Sequence, residues 1–298
     1  MRKICYCALP ALLICLVWAA TQQFVHVQIG ADKIELHSSQ IVLPMKIFGG
    51  RPTIDLTING KGPFTFILDS GAQGSLINPD LAAELNLEPQ GEMHVGSPAD
   101  SVGSIVKLYQ ATKITAGELE ITGLRLFAMP LPRISGNGVL PRGVLSPAIF
   151  KGILLTFDYP RGRVVLEKGQ LPAADGAQVF EYKADRRLPT VPVFMAGKEF
   201  DLYLDLGAPG TIVLPGKEAA GLPLETAPTK LPSMRLVTGE IPLVGAKLDG
   251  KATLGRYSFD HPMIAFGEGL PVGNIGAALL GRFAITLDVV NRRIRISE

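Results

Sequence analysis

Two aspartates occupy the same place in two similar loops, Asp69 in Asp69-Ser-Gly-Ala72 and Asp205 in Asp205-Leu-Gly-Ala208. Each follows an apolar run typical of a β-strand, and a glycine two residues later permits a tight turn. If the two loops face each other, carboxylates about 3 Å apart repel by roughly 5 kcal/mol at an effective dielectric of about 20. Sharing one proton relieves this repulsion, so one carboxyl group can act as general base and the other as general acid.

The loops belong to a longer internal repeat. Upstream, the segment from Pro52 to Lys61 matches the segment from Pro189 to Lys198, and both have the pattern of a strand followed by a glycine turn. Downstream, Pro79 and Pro215 each open a short alanine-bearing segment, which we predict to be helical. The chain therefore contains two copies of one lobe, and each copy presents one aspartate loop.

Two further landmarks recur near the end of each copy. We interpret Val144-Leu145 as the counterpart of Leu279-Leu280-Gly281. Each precedes a similar hairpin sequence, Asp158-Tyr-Pro-Arg-Gly-Arg163 in the first copy and Asp288-Val-Val-Asn-Arg-Arg293 in the second. The sequence predicts an all-β protein with two homologous barrel-like lobes, related by a pseudo-twofold axis and containing few short helices.

The two loops, with Ser75 and Thr211 at matching places, resemble the Asp-Thr/Ser-Gly-Ala/Ser loop of aspartic proteases. The apolar pair and the hairpin are similar to those of bacterial retropepsin-like proteases, and the two-lobed single chain is similar to pepsin in plan. The resemblance covers residues 45–298. It implies the acid protease fold and an aspartic endopeptidase with Asp69 and Asp205 as its catalytic pair.

Other residues of the two loops are expected to support that pair. Gly71 and Gly207 let the loop backbones approach closely, and the hydroxyls of Ser75 and Thr211 are expected to orient the adjacent carboxylates. The predicted support residues are Ser70, Gly71, Ala72, Ser75, Gly207, Ala208 and Thr211.

The segment between Gln90 and Val106 is rich in Gly, Ser and Asp. In the resembling family a flap over the cleft lies at this position, whereas composition alone also fits a disordered surface loop. A shorter candidate flap runs from Leu236 to Glu240. The predicted flap residues are Gly96, Gly103, Tyr109, Thr238 and Gly239, with a core position as the alternative for Tyr109.

The second loop departs from the family pattern at one position. The family has Thr or Ser after each aspartate, where the hydroxyls bridge the loops; Ser70 fits this pattern and Leu206 does not. Three hypotheses therefore remain. The chain is an active endopeptidase, or a weak or inactive member that binds peptides or envelope proteins, or an unrelated exported β-domain with a structural or adhesive role.

Charge and composition narrow the range of partners. The formal net charge is +2, and Arg2 and Lys3 account for the excess, so the rest of the chain is neutral and lacks a basic stripe for nucleic acid. A peptide or protein substrate is the expected partner, with no cofactor. Two complete lobes make an obligate dimer unnecessary, so we expect a monomer. No metal site is expected either, because ligand spacing is lacking among His26, His37, His94 and His261.

Residues 1–20 have the pattern of a signal peptide or an uncleaved membrane anchor, with Arg2-Lys3 preceding an apolar stretch. All three cysteines, Cys5, Cys7 and Cys15, lie inside it, so the exported part is expected to have no disulfide. The predicted location is outside the cytoplasm, either periplasmic or secreted, with anchoring by residues 4–20 as the alternative. The predicted organisation continues with an N-terminal extension (21–40), a first lobe (41–168), a linker (169–177) and a second lobe (178–298).

Overall fold

The computed structural model describes residues 30–95, 104–131, 136, 138–183, 188–236 and 239–298. In these ranges the regular structure is almost entirely β-strand, with two short α-helices and two 3-10 turns. No helix within them has the length and apolar character needed to span a bilayer.

The first half of the chain forms strands β1 to β12. They are β1 (Lys33–Leu36), β2 (Gln40–Pro44), β3 (Lys46–Phe48), β4 (Arg51–Ile58), β5 (Lys61–Leu68), β6 (Leu76–Ile77), β7 (Pro89–Val95), β8 (Ser104–Ala116), β9 (Leu119–Ala128), β10 (Gly143–Leu145), β11 (Ile153–Asp158) and β12 (Arg163–Lys168). Helix α1 (Pro79–Glu84) follows β6, and a 3-10 turn (Pro147–Ile149) follows β10.

The second half repeats this order with strands β13 to β24. They are β13 (Val179–Glu181), β14 (Thr190–Met195), β15 (Lys198–Asp205), β16 (Ile212–Pro215), β17 (Thr229–Leu236), β18 (Gly239–Lys247), β19 (Lys251–Leu254), β20 (Tyr257–Asp260), β21 (Met263–Gly267), β22 (Asn274–Gly276), β23 (Ala284–Asp288) and β24 (Arg293–Ser297). A 3-10 turn (Gly216–Gly221) follows β16, and helix α2 (Ala277–Leu280) follows β22.

The strands form three sheets. One nine-stranded sheet contains β1 and β3 to β10 and makes up the first lobe, and a second nine-stranded sheet contains β14 to β22 and makes up the second lobe. A six-stranded sheet, in the order β13-β24-β23-β11-β12-β2, takes strands from both halves and joins the lobes. The predicted all-β, two-lobed fold is confirmed.

The centre of the joining sheet reveals the internal symmetry. Strands β11 and β23 pair antiparallel with Thr156 opposite Thr286, and the two hydroxyl oxygens are 2.8 Å apart. These threonines are equivalent residues of the two copies, because each lies two positions before the aspartate of its hairpin, Asp158 or Asp288. A pseudo-twofold axis therefore passes between them. One continuous apolar core extends through both lobes, which fixes their relative position.

The predicted helices and the N-terminal extension differ in part from the expectation. Helix α1 begins at Pro79 as expected, since the Asn78 side chain accepts a hydrogen bond from the Asp80 N–H at 3.0 Å. The segment after Pro215 is a 3-10 turn without a side-chain cap. Within the predicted extension, β1 is a strand of the first lobe and pairs with β9.

Candidate active site

The two aspartates are delivered by equivalent strand pairs. In the first lobe β5 pairs parallel with β10, and Leu68 lies opposite Leu145. In the second lobe β15 pairs parallel with β22, and Leu204 lies opposite Ile275. Because Leu68 and Leu204 are fully buried, both strands are fixed in the core up to the residue that precedes each aspartate.

This register corrects one feature of the predicted repeat. The residue equivalent to Leu145 is Ile275, so the counterpart of Val144-Leu145 is Asn274-Ile275 and not Leu279-Leu280. The predicted segment instead closes α2, with Gly281 as its C-terminal cap. The true counterpart begins with the polar Asn274, whereas Leu279-Leu280 in α2 repeats the apolar pair of Val144-Leu145, so an apolar pattern selects the helix.

Asp69 and Asp205 meet between the lobes. Their carboxyl groups lie within hydrogen-bonding range of each other. Each also lies against the glycine of the opposite loop, because a Cβ on Gly207 would be 2.2 Å from the Asp69 Cγ, and one on Gly71 would be 2.7 Å from the Asp205 Oδ1. Only glycine leaves room for this approach, as the sequence predicted for both positions.

The hydroxyl of Ser70 bonds across the lobe boundary. It donates to the Leu204 carbonyl at 2.6 Å and accepts from the Leu206 N–H at 2.9 Å, and Ser70 is only 2% exposed. Leu206, its counterpart in the second loop, is fully buried and has no hydroxyl to return the pair of bonds. Of these two equivalent residues, only Ser70 links the loops through its side chain.

The two aspartates differ in the groups that shift their pKa values. Burial, followed by the neighbouring charge of Asp205, raises the pKa of Asp69 to about 7, while a bond donated by the Gly71 N–H at 2.8 Å and the charge of Arg51 oppose the rise. Burial also raises the pKa of Asp205, but bonds from the Asn274 side chain, the Ala208 N–H and Asp69 oppose the rise. The Asn274 amide donates to the Asp205 Oδ2 at 2.9 Å. These donors favour the negative charge on Asp205 and the proton on Asp69.

The loop hydroxyls do not have the predicted role. Ser75 accepts a bond from the Ser146 N–H at 3.1 Å, and Thr211 donates to the Met263 carbonyl. The expectation that they orient the adjacent carboxylates is therefore wrong. They hold each loop to a neighbouring segment of its own lobe. Ala72 has a similar supporting place, since its carbonyl accepts a bond from the Ser146 hydroxyl at 2.6 Å, and the Ala208 carbonyl accepts one from the Ala277 N–H at 2.8 Å.

Both predicted flap segments include residues of paired β-strands. Strands β7 and β8 pair antiparallel, and so do β17 and β18. Gly96, Gly103 and Thr238 lie outside the described residues, and Gly239 is the first residue of β18. Tyr109 is half-buried in β8 and packs against the core, which is the alternative that the sequence left open for it.

Three residues close to the aspartates were not predicted. Asn274 bonds to Asp205, and its own Oδ1 is buried without a hydrogen-bond partner among the described residues. Tyr159 has a buried hydroxyl that is likewise unpartnered, and burial together with the charges of the two aspartates raises its pKa. Arg51 lies within range of both charges. The sequence did offer a signal for Arg51, because this residue directly precedes Pro52, the first residue of the repeated segment.

The described residues contain no group of three or more His, Cys, Asp or Glu side chains arranged to hold a metal ion.

The chain is similar to known proteins both in sequence and in fold. Residues 54–146, which include the Asp69 loop, match the family model described as aspartyl protease. Among solved structures the chain is similar to the aspartic proteinase from Irpex lacteus, with 10% sequence identity and a TM-score of 0.53, over 87% of this chain and 97% of that one. The chain is thus similar to aspartyl proteases in sequence over residues 54–146 and to an aspartic proteinase in fold over most of its length. At 10% identity the structural likeness shows the fold alone. No curated protein matches the chain.

Proposed function

We propose that this protein is an endopeptidase of the aspartic protease family, which hydrolyses the peptide bonds of an extended polypeptide. The observation that carries the proposal is the pair of hydrogen-bonded carboxyl groups, each packed against the glycine of the opposite loop. A buried acid pair with one proton supplies both a general base and a general acid at one place.

The unequal surroundings of the pair support the following division of the two roles. A water between the carboxyl groups gives a proton to ionised Asp205, and its oxygen attacks the scissile carbonyl carbon. Asp69 gives its proton to the carbonyl oxygen, which forms a neutral tetrahedral diol. Asp205 then gives its proton to the amide nitrogen, the C–N bond breaks, and Asp69 regains a proton from one hydroxyl as the new carboxyl group forms.

A substrate in extended form suits a site made of strands and loops, since backbone hydrogen bonds can bind it and side-chain subsites can select it. The hairpins β7-β8 and β17-β18 are positioned in the chain order expected for flaps. Residues 1–20 support the further proposal that the protein acts outside the cytoplasm.

The test is incubation of the purified protein with a peptide library across acidic to neutral pH. We expect cleavage by the wild type and none by Asp69→Asn or Asp205→Asn. Asp249→Asn is the matched control, because Asp249 is exposed. Cleavage that continues in either dyad variant at the wild-type rate contradicts the proposal.

Leu206 favours a second candidate, a weak or inactive protein that binds peptides without turnover. Without the second bridging hydroxyl, the two carboxyl groups are held less firmly, and small misplacements cost much rate. This candidate predicts measurable peptide binding and no product. Cleavage by the wild type that disappears in Asp69→Asn eliminates it.

A further inference from the structure

Strand register places Arg51 beside the first aspartate. In the β4-β5 hairpin Thr53 lies opposite Ile67, so the same antiparallel register, continued by two residues, brings Arg51 level with Asp69. In the β14-β15 hairpin Thr190 lies opposite Tyr203, and the same continuation brings Leu188 level with Asp205. The two equivalent positions that flank the dyad therefore carry a guanidinium group on one side and an apolar group on the other.

Both positions also adjoin the loop of the opposite lobe. A Cβ on Gly50 would lie 2.7 Å from the Pro209 Cβ, so the turn that leads into Arg51 packs against the loop after Asp205. Leu188 lines a small cavity together with Ser70 and Ala72 of the first loop. The cationic and apolar positions thus lie where the lobes meet, on opposite sides of the pair.

Arg51 is not matched by an acid of its own. Its Nη1 donates to the Gly49 carbonyl at 2.9 Å, and among the described residues no ion-pair partner contacts it. The carboxylates whose charges act on it are Asp69 and Asp205. A guanidinium group has five N–H donors, so most of them remain for a ligand in the cleft.

We propose that Arg51 forms a carboxylate-binding subsite on one side of the scissile bond, and that preferred substrates carry an acidic side chain there. A guanidinium group binds a carboxylate through two parallel hydrogen bonds, which gives both strength and orientation. Leu188 gives the equivalent position across the dyad an apolar preference. This subsite rests on the proposed function, because it requires an extended peptide to cross the dyad.

The asymmetry also determines the direction of the substrate. Two lobes with identical flanks would accept a peptide equally well in either chain direction. One cationic and one apolar flank favour a single direction, because the reversed peptide places its acidic side chain against Leu188 and leaves Arg51 without a partner.

The experiment uses peptide pairs that differ only by Glu or Gln at each position around the cleaved bond. We expect kcat/KM to favour Glu at one position by about tenfold to a hundredfold, the range for a charge-assisted hydrogen bond. Arg51→Gln should bring this Glu/Gln ratio to about one, and Arg51→Lys should retain part of it. The ratio within one variant is informative because both peptides meet the same dyad, so any effect of Arg51 on the aspartates cancels. Lys251→Gln, at an exposed site, controls for net charge.

A reciprocal variant gives a gain of function. Leu188→Arg should create a second Glu preference at the mirrored position of the peptide, which a merely structural Arg51 does not predict. A wild-type protein that cleaves without any Glu preference, or an Arg51→Gln variant that keeps the preference, overturns the subsite while the peptidase proposal stands.

Absence of cleavage counts against the proposed function and leads to a binding measurement. The same Glu and Gln peptides are then titrated by fluorescence anisotropy. Tighter binding of the Glu peptide that Arg51→Gln removes supports the subsite, and equal binding of both peptides overturns it.

Discussion

Ser70→Ala tests whether one hydroxyl holds the two aspartate loops together. The side chain is 2% exposed and makes two bonds across the lobe boundary, at 2.6 Å to the Leu204 carbonyl and 2.9 Å from the Leu206 N–H. A hydrogen bond contributes about 1 kcal/mol net, and a buried polar group left without a partner costs about 1–3 kcal/mol. Since the variant affects two backbone groups, we expect the free energy of unfolding to fall by about 2–4 kcal/mol.

The assay is urea unfolding followed by circular dichroism, with the slope m compared between variants to check that the unfolding transition is unchanged. Ser70→Thr keeps the hydroxyl and should recover most of the loss. Ser38→Ala is the matched control, because that hydroxyl bonds to the Gln40 carbonyl at an exposed site and its removal should change stability by no more than about 0.5 kcal/mol. A Ser70→Ala protein as stable as the Ser38→Ala protein would refute the reasoning.

The remaining predictions concern the dyad itself. Gly207→Ala would place a Cβ 2.2 Å from the Asp69 Cγ and should lower kcat/KM at least about a hundredfold. Gly210→Ala is the control, because no atom lies within 4 Å of its Cβ, and its kcat/KM should stay near that of the wild type. Equal kcat/KM values for the two variants would contradict the close approach of the loops. The pH dependence of stability gives a second test, since the raised pKa of Asp69 means that the folded protein keeps a proton which the unfolded chain releases above a pH of about 4. The free energy of unfolding should therefore fall as pH rises from about 4 to about 7, and Asp69→Asn should flatten this slope in pH-dependent urea titrations; an unchanged slope would count against a shared proton.

The fold was largely predictable because local sequence patterns, and their repetition in the second half of the chain, indicate its strands and lobes. Alternating apolar runs that end at glycine indicate strands, and a repeated order of such runs indicates two similar lobes. Asn78-Pro79 marked the start of α1 through capping that involves only adjacent residues. The apolar-pair pattern led to a wrong counterpart in the second lobe, because the pair at Leu280 lies in α2 and the equivalent strand has Asn274 before Ile275.

The sequence alone determined which residues could form an acid pair, namely Asp69 and Asp205, because equivalent residues of a duplicated lobe lie at equivalent places about the symmetry axis. Only the tertiary structure decided what surrounds them. The Asn274 bond to Asp205 and the position of Arg51 depend on strand register and on contacts between lobes, which link residues far apart in the chain. Such contacts leave no periodic trace in the sequence, and they give two otherwise similar aspartates different surroundings.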